Sequence, residues 1–206
     1  MEKILSLPPE KQKAIVDAAL AAFGTGGYKK TAINDIAVAA GISKALVFHY
    51  FGTKKALYLY LMEVCGRTLI QEENEKLDKS VTDFFDRILL AADIKISMMR
   101  KHPAILSFLN SAYFETDSEV RGDLQAFFTS DEGENFRQRL VFDGMDASKF
   151  KEGVDPKLVL KMLTWIGYGY MNSSPLKAHT DLDAIYKEFE ACVHLLKNNL
   201  YKEDYR

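Results

Sequence analysis

Residues 27–57 read GYKKTAINDIAVAAGISKALVFHYFGTKKAL, and the fold turns on this stretch. Ile33, Ile36, Ala37 and Ala40 recur at the three- and four-residue spacing of one helix face. Thr31 is a residue type that caps such a helix at its start. Gly41 supplies a turn, Ile42 an apolar plug, and Ser43 an N-cap for the next helix, which runs to about Phe51. Gly52 breaks the chain again, and Thr53 caps a long fourth helix over 53–77. A short helix, a glycine turn and a second short helix make a helix-turn-helix, whose second helix enters the major groove of DNA.

Working outward, a first helix should begin near Pro9, because proline suits a first helical turn. Its core face is Ile15, Ala18, Ala19, Ala22 and Phe23, and Gly24, Gly26 and Gly27 are expected to stop it. That glycine cluster is not a phosphate loop: no glycine directly precedes a lysine and a Ser/Thr, and the cluster follows a helix rather than a strand. From about Val81 onward the apolar spacing remains helical. Breaks fall at His102-Pro103, 116–119, 130–133, 143–153 and 172–175, and the last two helices are expected at about 155–172 and 181–201. The fold class is therefore all-α: a three-helix helix-turn-helix domain over 1–53, joined by the helix 53–77 to a larger helical domain over 54–206.

Composition narrows the function. Of the 206 residues, 48% are hydrophobic and 27% charged, as in a globular chain. Every apolar run is shorter than the roughly 18–20 residues of a membrane span. The start, MEKILSLPPEKQK, has too short an apolar stretch for a signal peptide, so a cytoplasmic location is expected. Cys65 and Cys192 stand far apart without metal-ligand spacing and read as packed thiols, a redox pair being the alternative. His49, His102, His179 and His194 are scattered, and no nucleophile elbow or zinc-protease motif is present. Glu72-Glu73 sits on a charged helix face. No catalytic residue, metal or cofactor is therefore expected, and an enzyme is the disfavoured class. The net charge of -2 hides an asymmetry: residues 1–60 hold eight lysines and four acids, +4, leaving -6 for the remainder. A basic head on an acidic body suits a first segment that meets a polyanion.

On the helix starting at Ser43, the outward face should carry Lys44, Ala45, Phe48 and His49, with Leu46, Val47 and Tyr50 turned inward. Ala45 and Phe48 can meet a thymine methyl, Lys44 a guanine edge or phosphate, and His49 a phosphate. Lys54 and Lys55 lie in a first helical turn, where the helix dipole disfavours cations. Beside backbone N–H groups capped by Thr53, they suit a DNA phosphate.

The pairs Gly27-Tyr28, Ala40-Gly41, Ser43-Lys44 and Tyr50-Phe51, with Thr31, Asp35-Ile36-Ala37 and Lys54, carry a resemblance. The segment 15–57 resembles the TetR family of regulators, over roughly the first quarter of the chain. The resemblance implies that Thr31 meets phosphate and Asn34 reads a base. It places Ser43 in the same DNA-binding set, turns Lys44, Ala45 and Phe48 to base edges, and has His49, Tyr50 and Lys54 hold the backbone, with Lys55 beside them. Ala45, Leu46 and Phe48 replace a frequent glycine, threonine and tyrosine, which removes two hydroxyls that could reach phosphate.

For the body, the resemblance implies a ligand-binding and dimerising domain. The segment LVLKMLTWIGYGYM is apolar on nearly every side, so it should be covered on several faces. The family supplies a ligand cavity on one side and a partner subunit on the other. Met98, Phe108, Tyr113, Phe136, Met162, Trp165 and Tyr168 are the expected pocket residues, suited to a hydrophobic small molecule. Asp93, Lys95 and Glu115 lie near apolar runs, where they either place a charge in that pocket or are solvated. Leu163, Tyr170, Phe189, Val193 and Leu196 are expected at a homodimer interface built from the last two helices. The implied function is a repressor that binds a palindromic duplex operator as a dimer and is released by a small effector. A ligand-responsive activator and a helical protein–protein adaptor are the alternatives.

Overall fold

A computed structural model describes residues 2–128, 140–173 and 181–205. Among them are ten α-helices and no strand: α1 (Glu2–Leu5), α2 (Pro9–Lys30), α3 (Ile33–Ala39), α4 (Lys44–Phe51), α5 (Lys54–Lys76), α6 (Phe84–Lys101), α7 (Pro103–Tyr113), α8 (Arg121–Phe128), α9 (Pro156–Ser173) and α10 (Leu182–Leu200). No helix among the described residues is long and apolar enough to cross a membrane.

The chain divides into two compact units, Met1–Gln71 with Met98–Gly133, and Glu72–Ser97 with Glu134–Arg206. The helix-turn-helix thus closes its core with α7 and α8 rather than within residues 1–53. The physical reason is area: Phe23, Tyr28 and Tyr58 need a cover, and Phe108 of α7 supplies it, its ring 5.0 Å from that of Tyr58. Tyr58 also meets Phe23 and Tyr28 edge-to-face at 4.9 and 5.1 Å, an arrangement favoured by the ring quadrupoles.

Two expectations about α2 are corrected. Gly24 and Gly26 do not stop it; the helical path breaks only at Gly27, which has φ 68°. Gly24 instead lets α7 approach, since a Cβ there would stand 2.8 Å from Ser107 Oγ and 3.0 Å from the Phe108 backbone nitrogen. Thr31 does not cap α3, whose N-cap is Ala32. Its hydroxyl turns back, donating to the carbonyls of Gly27 at 2.7 Å and Ala22 at 3.0 Å, and so stitches the broken end of α2. The four-residue α1 was not foreseen; it packs against α4, with Ile4 buried in the same core.

The second unit is built on a different aromatic cluster. Phe85, Phe150 and Tyr201 meet edge-to-face or tilted, with Phe84 against Phe85 and Phe150. Phe150 and Tyr201 form an isolated antiparallel bridge, held by Lys151 N–H to the Leu200 carbonyl and Lys202 N–H to the Lys149 carbonyl. Asp83 is buried but accepts from Lys149 at 2.8 Å and pairs with Lys197 at 3.2 Å; Lys197 also reaches Asp86 at 2.8 Å. Burial works against the charge on Asp83, yet these ammonium groups and the Asp86 N–H outweigh it and hold the carboxyl below its usual range. Arg87, 2% exposed, donates to the carbonyls of Leu140 and Val81, so the buried cation is partnered.

Candidate nucleic-acid interface

Positioning of α4 begins with its cap. Ser43 Oγ accepts the Leu46 N–H at 3.2 Å, as the sequence suggested, and satisfies a donor that the first turn leaves without a helical partner. Val47 and Phe51 are buried against α3, whose own buried residues are Ile33, Ile36 and Ala37. Gly41, at φ 67°, makes the turn between them, a left-handed conformation that suits glycine.

These anchors leave Lys44, Ala45, Phe48 and His49 exposed on one side of α4, with Tyr50 half-buried and its ring against His49. Lys44 lies over the Phe48 ring at 5.9 Å. Leu46 corrects the sequence reading: it was expected inward but is exposed alongside Phe48. Leu46 therefore joins the outward face, and Val38 of α3 is exposed as well. Asn34 and Ser43 are also exposed; Thr31 is buried, so a phosphate contact through its hydroxyl would compete with the stitch described above.

The start of α5 is capped by Thr53 Oγ1, which accepts the Ala56 N–H at 3.0 Å. Its two lysines already have partners. Lys54 donates to the Lys29 carbonyl at the end of α2 and lies 4.8 Å over the Tyr28 ring. Lys55 pairs with Asp123 of α8 at 2.7 Å. Their cost at a helix N-terminus is thus partly offset within the protein, which the sequence could not reveal because Asp123 is far along the chain.

The residues expected in a ligand pocket differ in exposure. Met98 and Phe108 are fully buried in the first core, Tyr113 is exposed beside Phe114 and Phe128, and Met162 and Trp165 are exposed in the second unit. Phe136 and the side chain of Tyr168 lie outside the described residues. The expected dimer residues also need correction. Leu163 and Val193 are 2% and 0% exposed, because these branched apolar side chains are taken up by the core cluster that also holds Phe84 and Phe85. Phe189, Leu196 and Tyr170 are half-buried. Among the described residues, the exposed large apolar side chains of these helices are Leu158, Met162, Trp165 and Ile166 on α9, spaced i, i+4, i+7, i+8, and Leu195 on α10. Cys65 is buried, and burial pushes its thiol up to about 12, which suits packing and not redox chemistry. Among the described residues no cluster of three or more His, Cys, Asp or Glu could hold a metal ion.

Residues 15–61 match the family model described as bacterial regulatory proteins, tetR family. The matched span covers the core of α2, all of α3 and α4 and the start of α5, the elements that build the exposed face. Over this head the chain is similar to the TetR family. The HTH-type transcriptional regulator BetI of Agrobacterium fabrum is 46% identical over 55 residues, 27% of this chain and 27% of that protein. The HTH-type transcriptional regulator RutR of Escherichia coli is 42% identical over 52 residues, 25% of this chain and 24% of that protein. The likeness thus spans about a quarter of the length of these relatives. Solved structures extend the fold over the whole chain. A TetR family regulator from Chloroflexus aurantiacus superposes with a TM-score of 0.70 at 19% identity, covering 98% of this chain and 99% of that one. FadR from Bacillus subtilis in complex with stearoyl-CoA gives 0.66 at 19%, covering 88% and 96%.

Proposed function

We propose that this chain is a DNA-binding transcriptional regulator that places α4 in the major groove. The observation that carries the reading is the exposed face Lys44, Ala45, Leu46, Phe48 and His49, held on a capped helix whose opposite side is locked into the core. An uncharged apolar middle with a cation at its N-terminal end suits thymine methyls flanked by a guanine or a phosphate. Asn34, Ser43, Tyr50 and Lys54 are assigned to the flanking backbone and bases, and Lys55 to the backbone in exchange with Asp123.

The finer reading is a repressor that binds a palindromic operator as a homodimer and is released by a small, largely hydrophobic effector. Dimerisation is assigned to Leu158, Met162, Trp165, Ile166 and Leu195 in place of the buried Leu163 and Val193, since exposed apolar residues at helical spacing mark an association surface. That FadR of Bacillus subtilis holds stearoyl-CoA supports an apolar effector for a protein of this fold. Release follows from linkage: an effector that favours a pose in which the two α4 helices no longer match successive grooves lowers operator affinity. The test is selection of duplexes from a random pool by the purified protein. Recovery of an inverted repeat supports the reading; failure to bind any duplex at low salt refutes it.

A further inference from the structure

The break in α2 is gripped from outside the DNA-binding helices. Gly27 is the residue that leaves the helical path, and the next N–H, that of Tyr28, donates to Glu115 Oε2 at 2.7 Å across 87 residues of sequence. Glu115 is no free carboxylate at the end of a long side chain. Its other oxygen accepts the N–H groups of Thr116 and Asp117, at 2.9 and 3.0 Å, so the turn after α7 holds it in place. Those two bonds would suffice to form the turn; the bond to Tyr28 is additional and joins the turn to the head.

Tyr28 is where such a bond has leverage. Its ring is buried between Phe23 and Tyr58, with Lys54 above it, and only two residues, Lys29 and Lys30, separate it from Thr31–Ala32 at the entry to α3. Displacing Tyr28 displaces the entry to α3, and α4 is packed on α3. We propose that Glu115 is a positioning residue for DNA recognition: it fixes the pose of α3 and α4 by holding the backbone just past the Gly27 break. The inference rests on the DNA-binding reading above. A charge-assisted bond to a backbone N–H is among the stronger hydrogen bonds available to the chain.

The test compares Glu115→Ala and Glu115→Gln with Ser111→Ala. Ser111 lies on the same α7 surface but donates to the Phe23 carbonyl, ahead of the break, at 3.2 Å. The probes are a duplex selected by the wild-type protein and a scrambled duplex of equal composition, with amide hydrogen exchange followed in peptides over 44–51. Glu115→Ala should lose about tenfold in affinity for the selected duplex, the order of one mismatched base pair. Its affinity for the scrambled duplex, set by phosphates, should change less than about twofold. Exchange over 44–51 should quicken. Glu115→Gln, which keeps an acceptor oxygen, should lie between, and Ser111→Ala should match wild type in both readouts. If Glu115→Ala does not fold, the Gln variant carries the comparison. Selected-duplex affinity and 44–51 exchange that match wild type in the Glu115 variants overturn the inference, as does an equal loss in Ser111→Ala. A wild type that selects no duplex refutes the DNA-binding reading instead, and the exchange comparison still decides whether Glu115 sets the pose of α4.

Discussion

At the scale of single residues, the outward face of α4 divides into groups that specify and groups that hold. Lys44→Ala should weaken binding to the preferred duplex by about 1–3 kcal/mol and relax preference at one base position, read by competition between single-base variants. Lys54→Ala should weaken all sequences alike and reduce the salt slope by about one. Thr31→Val should cost about 1 kcal/mol in urea unfolding, because its hydroxyl serves the carbonyls of Gly27 and Ala22. Legibility differs sharply among these residues. Ser43 and Thr53 could be read as caps because a cap partner lies three residues away. Thr31 has the same chemistry, but its acceptors are carbonyls four and nine residues behind it, so back-bonding to the preceding helix competes with capping of the next one. Leu46 was misplaced because a helix of eight residues leaves its face assignment to packing, and the packing chose Val47 and Phe51.

At the scale of elements, the glycines of α2 show how one residue type serves two ends. Only Gly27 breaks the helix; Gly24 is a close-approach position against α7. Gly24→Ala should therefore destabilise the protein by about 1–3 kcal/mol despite the better helix propensity of alanine, since the backbone of Phe108 cannot yield as a side-chain tip can. Thermal melting checks this. The contact was invisible in sequence because it joins residues more than eighty apart. The same holds for the Asp83 cluster in the second unit. Its carboxyl is held below the usual range by Lys149 and Lys197, so its ionised form is favoured in the folded state. That stability is present above the unfolded carboxylate pKa of about 4 and is lost as pH falls through the depressed folded value. Asp83→Asn should flatten this acid limb of the unfolding profile relative to wild type.

At the scale of the whole molecule, the helical class and the placement of the head were legible because helix periodicity and the helix-turn-helix punctuation are local signals. The surfaces of the body were not. Most positions of α9 are apolar, so sequence alone could not say which side meets its own core and which faces outward; Leu163, expected at a partner interface, packs in its own core, and Trp165, expected in a ligand pocket, is exposed. Trp165, 58% exposed, and Leu195, 64% exposed, belong to the face proposed above for association. Wild type is expected to sediment as a dimer at micromolar concentration in sedimentation velocity, and Trp165→Glu as a monomer, without lowering helicity by circular dichroism. A Trp165→Glu protein that remains dimeric would place the interface elsewhere.

The central claim is that the α4 face reads duplex DNA as part of a dimer. Its most direct measurement is a titration of a selected inverted-repeat duplex with purified protein, by fluorescence anisotropy, across a range of salt concentrations. With about six to ten phosphates engaged, the log–log slope should be about -5 to -9, and a scrambled duplex should bind far more weakly. Absence of duplex binding at the lowest salt, or equal affinity for both duplexes throughout, would contradict the account.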